Sequence, residues 1–152
     1  MQFIGYGKRS WLLNLIVAIA FQVSTKAQDI GPLPVQDLQR FGYSFLTGDT
    51  GVWAYIQDDD IYYLSKSINL RDSVQLEPIK RDDLYFLGLA LIKLDKIQLE
   101  KLHNDDLYFL GSAILERTIA YLEHVKSDEL YFLGRALVLR NLKELNQIKT
   151  KN

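Results

Sequence analysis

Apolar residues recur along this chain with two nested spacings: three and four residues within a stretch, and 23 residues between stretches. The string Asp-Asp-Leu-Tyr-Phe-Leu-Gly stands at 82–88 and again at 105–111, with a close copy at 128–134, a looser one at 59–65 and a remnant at 36–42. Five units follow, 36–58, 59–81, 82–104, 105–127 and 128–150, and a fixed period of this length marks a repeat architecture. Within each unit the third, sixth and tenth positions are apolar, for example Leu84, Leu87 and Leu91, which makes one helical stripe. The eighteenth and twenty-first positions, Leu99 and Leu102 in the third unit, are apolar in all five.

The fourteenth position decides whether a unit holds one helix or two. It is Asp49, Asp72, Asp95, Thr118 and Asn141, all residues that cap helix N-termini. In a continuous helix this position would turn into the apolar stripe and bury a polar group in every unit. Asp72 with Gln75, Asp95 with Gln98 and Asn141 with Glu144 also have capping-box spacing. The expectation is a helical hairpin per unit: helix A from about the second to the twelfth position, helix B from about the fifteenth to the twenty-second. The fold class is all-α, a short α-solenoid of five tandem hairpins. The competing readings are one unbroken helix per unit, since the last three units lack Gly or Pro at the break, and a β-solenoid built on the aromatic stretches.

Charges mark the junctions. Lys80, His103, Lys126 and Lys149 end the B segments, and the pairs Asp59/Asp60, Asp82/Asp83, Asp105/Asp106 and Asp128/Glu129 open the A helices, each sign opposing the helix dipole. Gly88, Gly111 and Gly134 lie inside helix A, where glycine costs about 1 kcal/mol relative to alanine. Close approach of a neighbouring helix would offset that cost, and Ala90, Ala113 and Ala136 suggest the same tight crossing. Thr47–Gly51 and Trp53 set the first unit apart, as expected of a capping variant or, alternatively, of a binding loop. The polar residues between Leu142 and Lys149 suit a solvent-facing last helix.

The segment Leu84-Tyr-Phe-Leu-Gly-Leu-Ala-Leu and its copies at Leu107 and Leu130 resemble the first helix of tetratricopeptide and Sel1-like repeats. The likeness covers about a dozen residues per unit and fails in the second half, because those families use units of about 34 residues or more. It implies stacked helical hairpins that bind protein or peptide on a concave face.

The front of the chain reads as a secretory signal peptide over 1–27: Lys8 and Arg9, an apolar run from Trp11 to Val23, then a polar tail ending at Ala27. That run is too short for the roughly 20 residues of a membrane-spanning helix. A leader arm, 28–35, would follow, with no stable membrane anchor after cleavage and a secreted or periplasmic location. Loss of Lys8, Arg9 and Lys26 reduces 18 basic residues to 15 against 19 acidic ones, a mildly acidic product. That balance argues against nucleic acid as a partner, which needs a concentrated basic face.

With no cysteine there is no disulfide, thiolate metal site or cysteine nucleophile. The two histidines, His103 and His124, lack a third ligand or a positioned nucleophile. No hydrolase elbow, zincin motif or phosphate-cradling loop is present, and the carboxylate pairs recur in every unit where a catalytic pair would occur once. The acidic pairs have no calcium-loop spacing. No cofactor, metal or enzymatic activity is expected.

Aromatic pairs at the fourth and fifth positions remain: Tyr62/Tyr63, Tyr85/Phe86, Tyr108/Phe109 and Tyr131/Phe132. They can fill the seam between hairpins or offer a tyrosine face to a ligand. Tyr62, Tyr85, Tyr108 and Tyr131 are accordingly the candidate binding residues. The function expected is that of an exported scaffold binding a protein or peptide, with a self-assembling envelope protein and a carbohydrate-binding accessory as the alternatives.

Overall fold

The computed structural model describes residues 30–149. The expected signal segment, 1–27, lies outside them, as do the first residues of the arm. Among the described residues every regular element is helical. Five α-helices, α1 (Val35–Thr47), α2 (Asp59–Leu70), α3 (Asp82–Lys93), α4 (Asp105–Glu116) and α5 (Asp128–Leu139), alternate with five 3₁₀ segments, η1 (Gly51–Tyr55), η2 (Ser73–Leu76), η3 (Lys96–Lys101), η4 (Ile119–His124) and η5 (Leu142–Gln147).

Each unit is a hairpin whose turn occupies positions 13 and 14. Position 13 is left-handed in every unit: Gly48, then Arg71, Leu94, Arg117 and Arg140 with φ of 52–53°. A residue in that conformation ends an α-helix by turning the chain off its axis. Position 14 then caps the outgoing segment, with Asp72 accepting from the N–H of Val74, Asp95 from Ile97, Thr118 from Ala120 and Asn141 from Lys143. This excludes the unbroken helix. The glutamines of the expected capping boxes reach the cap side chain instead of its backbone, Gln75 Nε2 to Asp72 at 3.1 Å and Gln98 Nε2 to Asp95 at 3.0 Å. Glu144 turns to Arg135.

The second segment differs from the α-helix B that the sequence predicts: it is a 3₁₀ turn of four to six residues. Its inward-facing residue at position 18 and the apolar residue at position 21, past the segment, are three apart, which matches three residues per turn, and the segment is too short to present an i, i+4 partner. Pro78 stands just beyond η2, the shortest of the five.

A carboxylate closes each of the first four units. Asp83, buried at the second position, accepts from the backbone N–H of His103 at 2.9 Å and of Asn104 at 3.0 Å. Asp37, Asp60 and Asp106 do the same for the pairs 57/58, 80/81 and 126/127. So the aspartate at the second position of units one to four staples the end of its own unit, beyond any dipole effect. The α-helix N-cap is the residue before the pair: Asp58, Asn104 and Ser127 accept from Ile61, Leu107 and Leu130.

Units stack by a notch and a knob. A Cβ on Gly88 would lie 2.6 Å from Leu76 Cδ2 and 2.8 Å from Leu64 Cδ1, both from the preceding unit. Gly111 meets Leu99 and Leu87 in the same way, and Gly134 meets Leu122 and Leu110. The close neighbour is thus the position-18 leucine of η, buried almost completely and worth about 1.5–3 kcal/mol each.

The same contact joins the last unit to the first. Gly42 faces Leu145 at 2.6 Å and Leu133 at 2.9 Å, and Gln39 Nε2 donates to the carbonyls of Leu145 and Ile148 at 3.2 and 3.0 Å. α1 therefore packs against α5 and η5, and the five-hairpin solenoid closes into a ring. The terminal units are each other's neighbours, not caps: Leu145 and Ile148 are buried, so the last segment does not simply face solvent. Ring closure places the core at the centre, where positions 3, 6 and 10 of all units meet in one cluster with Ala90, Ala113 and Ala136 at position 9. Ile30 and Leu33 of the arm pack against that cluster, and Arg81 Nη1 donates to the Ile30 carbonyl.

Candidate functional site

The four candidate tyrosines sit at position 4 and are half-buried against the core. Each meets its neighbour edge to face: Tyr62 with Tyr63 at 5.1 Å between centroids, Tyr85 with Phe86 at 5.3 Å, Tyr108 with Phe109 at 5.4 Å and Tyr131 with Phe132 at 5.3 Å. Such pairs add about 0.5–1.5 kcal/mol beyond burial. Position 5 leans on position 20 of its own unit: Lys101 lies over the Phe86 ring, and His124 is 4.9 Å from Phe109. In unit one position 4 is Gln39, which bonds the backbone of η5 in the unit it packs against. The structure thus gathers the tyrosines along equivalent seams, one per unit, and does not bring them into a single pocket.

Unit one lacks this pair and carries Gln39 and Arg40 instead. A groove of about 630 Å³ opens at its seam with unit five, lined by Gln39, Arg40, Tyr43, Val52, Leu142 and Lys143, with buried Leu145 also on its wall. Arg40 is held by Asp37 at 3.0 Å and donates to the Tyr55 carbonyl at 2.6 Å. The sequence signal for this groove was available as the one break in the aromatic pairs.

Exposed aliphatic residues form a second feature. Leu70, Val74, Leu94, Ile97, Ile119, Leu139 and Leu142 all fall at positions 12–16, in units two to five. Because the units surround one ring, these positions share the end where the α-helices finish. Leu94 is 80% and Ile97 64% exposed, far more than a fold-stabilising role requires. The corresponding stretch of unit one, Thr47–Gly51, is polar, so the collar is an arc with one gap. Arg71, Arg117 and Arg140 are exposed on it, and Lys96 pairs with Glu116 of the next unit.

The opposite end is acidic, with Asp59, Asp82, Asp105 and Asp128 exposed at position 1. Burial would raise Asp60 beside them, but the N–H groups of Lys80 and Arg81 and the Arg81 guanidinium outweigh it and hold this carboxyl below its ordinary range. His103 Nδ1 stands 3.4 Å from Asp83. Among the described residues no group of three or more His, Cys, Asp or Glu is placed to hold a metal ion, and no helix is long and apolar enough to cross a membrane. Where unit one meets unit two, Trp53 replaces the knob leucine and Ser65 the notch glycine; Trp53 Nε1 and Ser65 Oγ are buried without hydrogen-bond partners.

No protein-family model, curated protein or solved structure matches this chain.

Proposed function

We propose that this chain is an exported binding module that holds a protein partner on its aliphatic collar. The observation that carries this reading is the confinement of seven large exposed aliphatic residues to one end of a ring that is otherwise well packed. Contiguous apolar surface rimmed by charge marks an interaction site, and rigid hairpins present it without an ordering cost. The signal-like 1–27 segment supports export, and the weak tetratricopeptide-like pattern fits a protein ligand. We assign the tyrosines to the seams, because they are half-buried and engaged by their neighbours. A photo-crosslinking amino acid at Leu94, compared with one at Tyr85, tests this in the native cell. A discrete protein adduct from Leu94 that disappears with Ile97→Asp supports the collar; an adduct from Tyr85 alone contradicts it.

Self-assembly is the second reading. Four exposed aspartates, one per unit, ring one end, and three exposed arginines, Arg71, Arg117 and Arg140, stand at the other, so copies can stack end on end by charge. Sedimentation that shifts to larger species with concentration, and reverts in 0.5 M salt, separates this from a hetero-partner.

A further inference from the structure

The groove at the closing seam is a place where the repeat omits its own filler. In units two to five helix A carries a tyrosine at position 4 and a second aromatic residue at position 5. Unit one keeps the notch glycine, the knob leucine of its neighbour and the same close approach, 2.6 Å against 2.5–2.6 Å at the glycine seams elsewhere. Only the aromatic pair is missing, and a cavity of about 630 Å³ stands there. The space is wide enough for an aromatic side chain together with its flanking residues, walled by Leu142, Val52 and Tyr43, with the amide of Gln39 committed to the η5 carbonyls.

Its charge is one-sided. Arg40 and Lys143 line it and no carboxylate does, although the chain as a whole has more acidic than basic residues. Arg40 is neutralised by Asp37, whereas the Lys143 ammonium is exposed with no ion-pair partner among the described residues. An aromatic ring therefore finds an apolar wall here, and an adjacent carboxylate finds a cation.

We infer that this groove receives the aromatic side chain of an acidic peptide segment from a partner protein, completing the belt that unit one leaves open. The groove shares Leu142 with the collar, but its test depends on no collar partner.

The test uses the folded chain and a fluorescein-labelled Glu-Asp-Tyr-Asp-Glu peptide, followed by anisotropy. Saturable binding is expected, weakened about tenfold or more when alanine replaces the tyrosine or lysines replace the acids, since a lost buried ring or ion pair is worth at least that factor. Gln39→Tyr restores the residue of the other units, so it should occlude the groove and abolish binding. Lys143→Glu, on the exposed rim, should weaken binding about tenfold with an unchanged melting temperature. Absence of binding up to about 1 mM peptide overturns the inference, as does equal affinity for the alanine peptide. A folded Gln39→Tyr or Lys143→Glu protein that binds as tightly as the parent also overturns it.

Discussion

Leu145, near the end of the chain, fills the notch left by Gly42, near its start: a Cβ on that glycine would stand 2.6 Å from the leucine Cδ2. The contact repeats, between residues more than a hundred apart in sequence, what Leu99 does to Gly111 one unit away. Gly42→Val should therefore cost about 1–3 kcal/mol, the range for overpacking a filled core, and Gly111→Val a similar amount. Urea unfolding of the two variants gives the comparison. In an open array Gly42 would face solvent and tolerate valine.

Leu94 holds a left-handed conformation that Gly48 adopts without a Cβ at the same position of unit one. Non-glycine residues there are strained by about 1–2 kcal/mol, and glycine gives back part of the gain in unfolded-state entropy. Leu94→Gly and Arg117→Gly should each stabilise the fold by about 0.5–1 kcal/mol, read as a raised urea midpoint.

Asp82 and Asp83 look alike in sequence and differ in the fold. Asp83 is buried and accepts two backbone N–H groups, while Asp82 is exposed at the helix start. Asp83→Ala should cost about 1–3 kcal/mol by leaving those donors without an acceptor. Asp82→Ala should change stability by no more than about 0.5 kcal/mol. Equal effects would contradict the staple.

Acid should loosen the ring through Asp60, the buried carboxylate that staples unit two. Asp60 titrates below its ordinary 3.8 in the folded chain, because the amides of Lys80 and Arg81 and the Arg81 side chain outweigh its burial. A depressed carboxyl contributes stability that is complete above the unfolded value and is lost as pH falls through the folded one. Urea midpoints should fall steeply below about pH 4, and Asp60→Asn should flatten that limb while lowering stability at pH 7.

Much of this architecture was legible in the residues. The 23-residue register placed α2–α5 within a residue at each end, because the apolar stripe and the polar position 14 recur without interruption. The 3₁₀ character of the second segment was written in the three-residue gap between Leu99 and Leu102, but read as a helix stripe it was assigned to α. Closure was harder, since the rotation per unit is a packing property absent from any single position. Two residues nevertheless betray it. A first unit with nothing before it has no use for Gly42, and a last unit with nothing after it has no use for an apolar Leu145. Sequence reasoning treated the ends as caps and so passed over both. The tyrosines were recognised as regular, and their seam location follows only once Gln39 is seen to touch the preceding unit. The collar was missed because exposed leucines at a turn carry no periodic signature of their own.

Ring closure is the central claim, and the chain's lack of cysteine makes it directly measurable with two introduced labels. Spin labels on Tyr43→Cys in unit one and Lys143→Cys in unit five face the same groove. Electron–electron distance measurement should give a single narrow population at about 20 Å or less, as for helices in contact. A separation of about 30–40 Å, four successive steps of helix packing, would mean an open solenoid and would contradict the account.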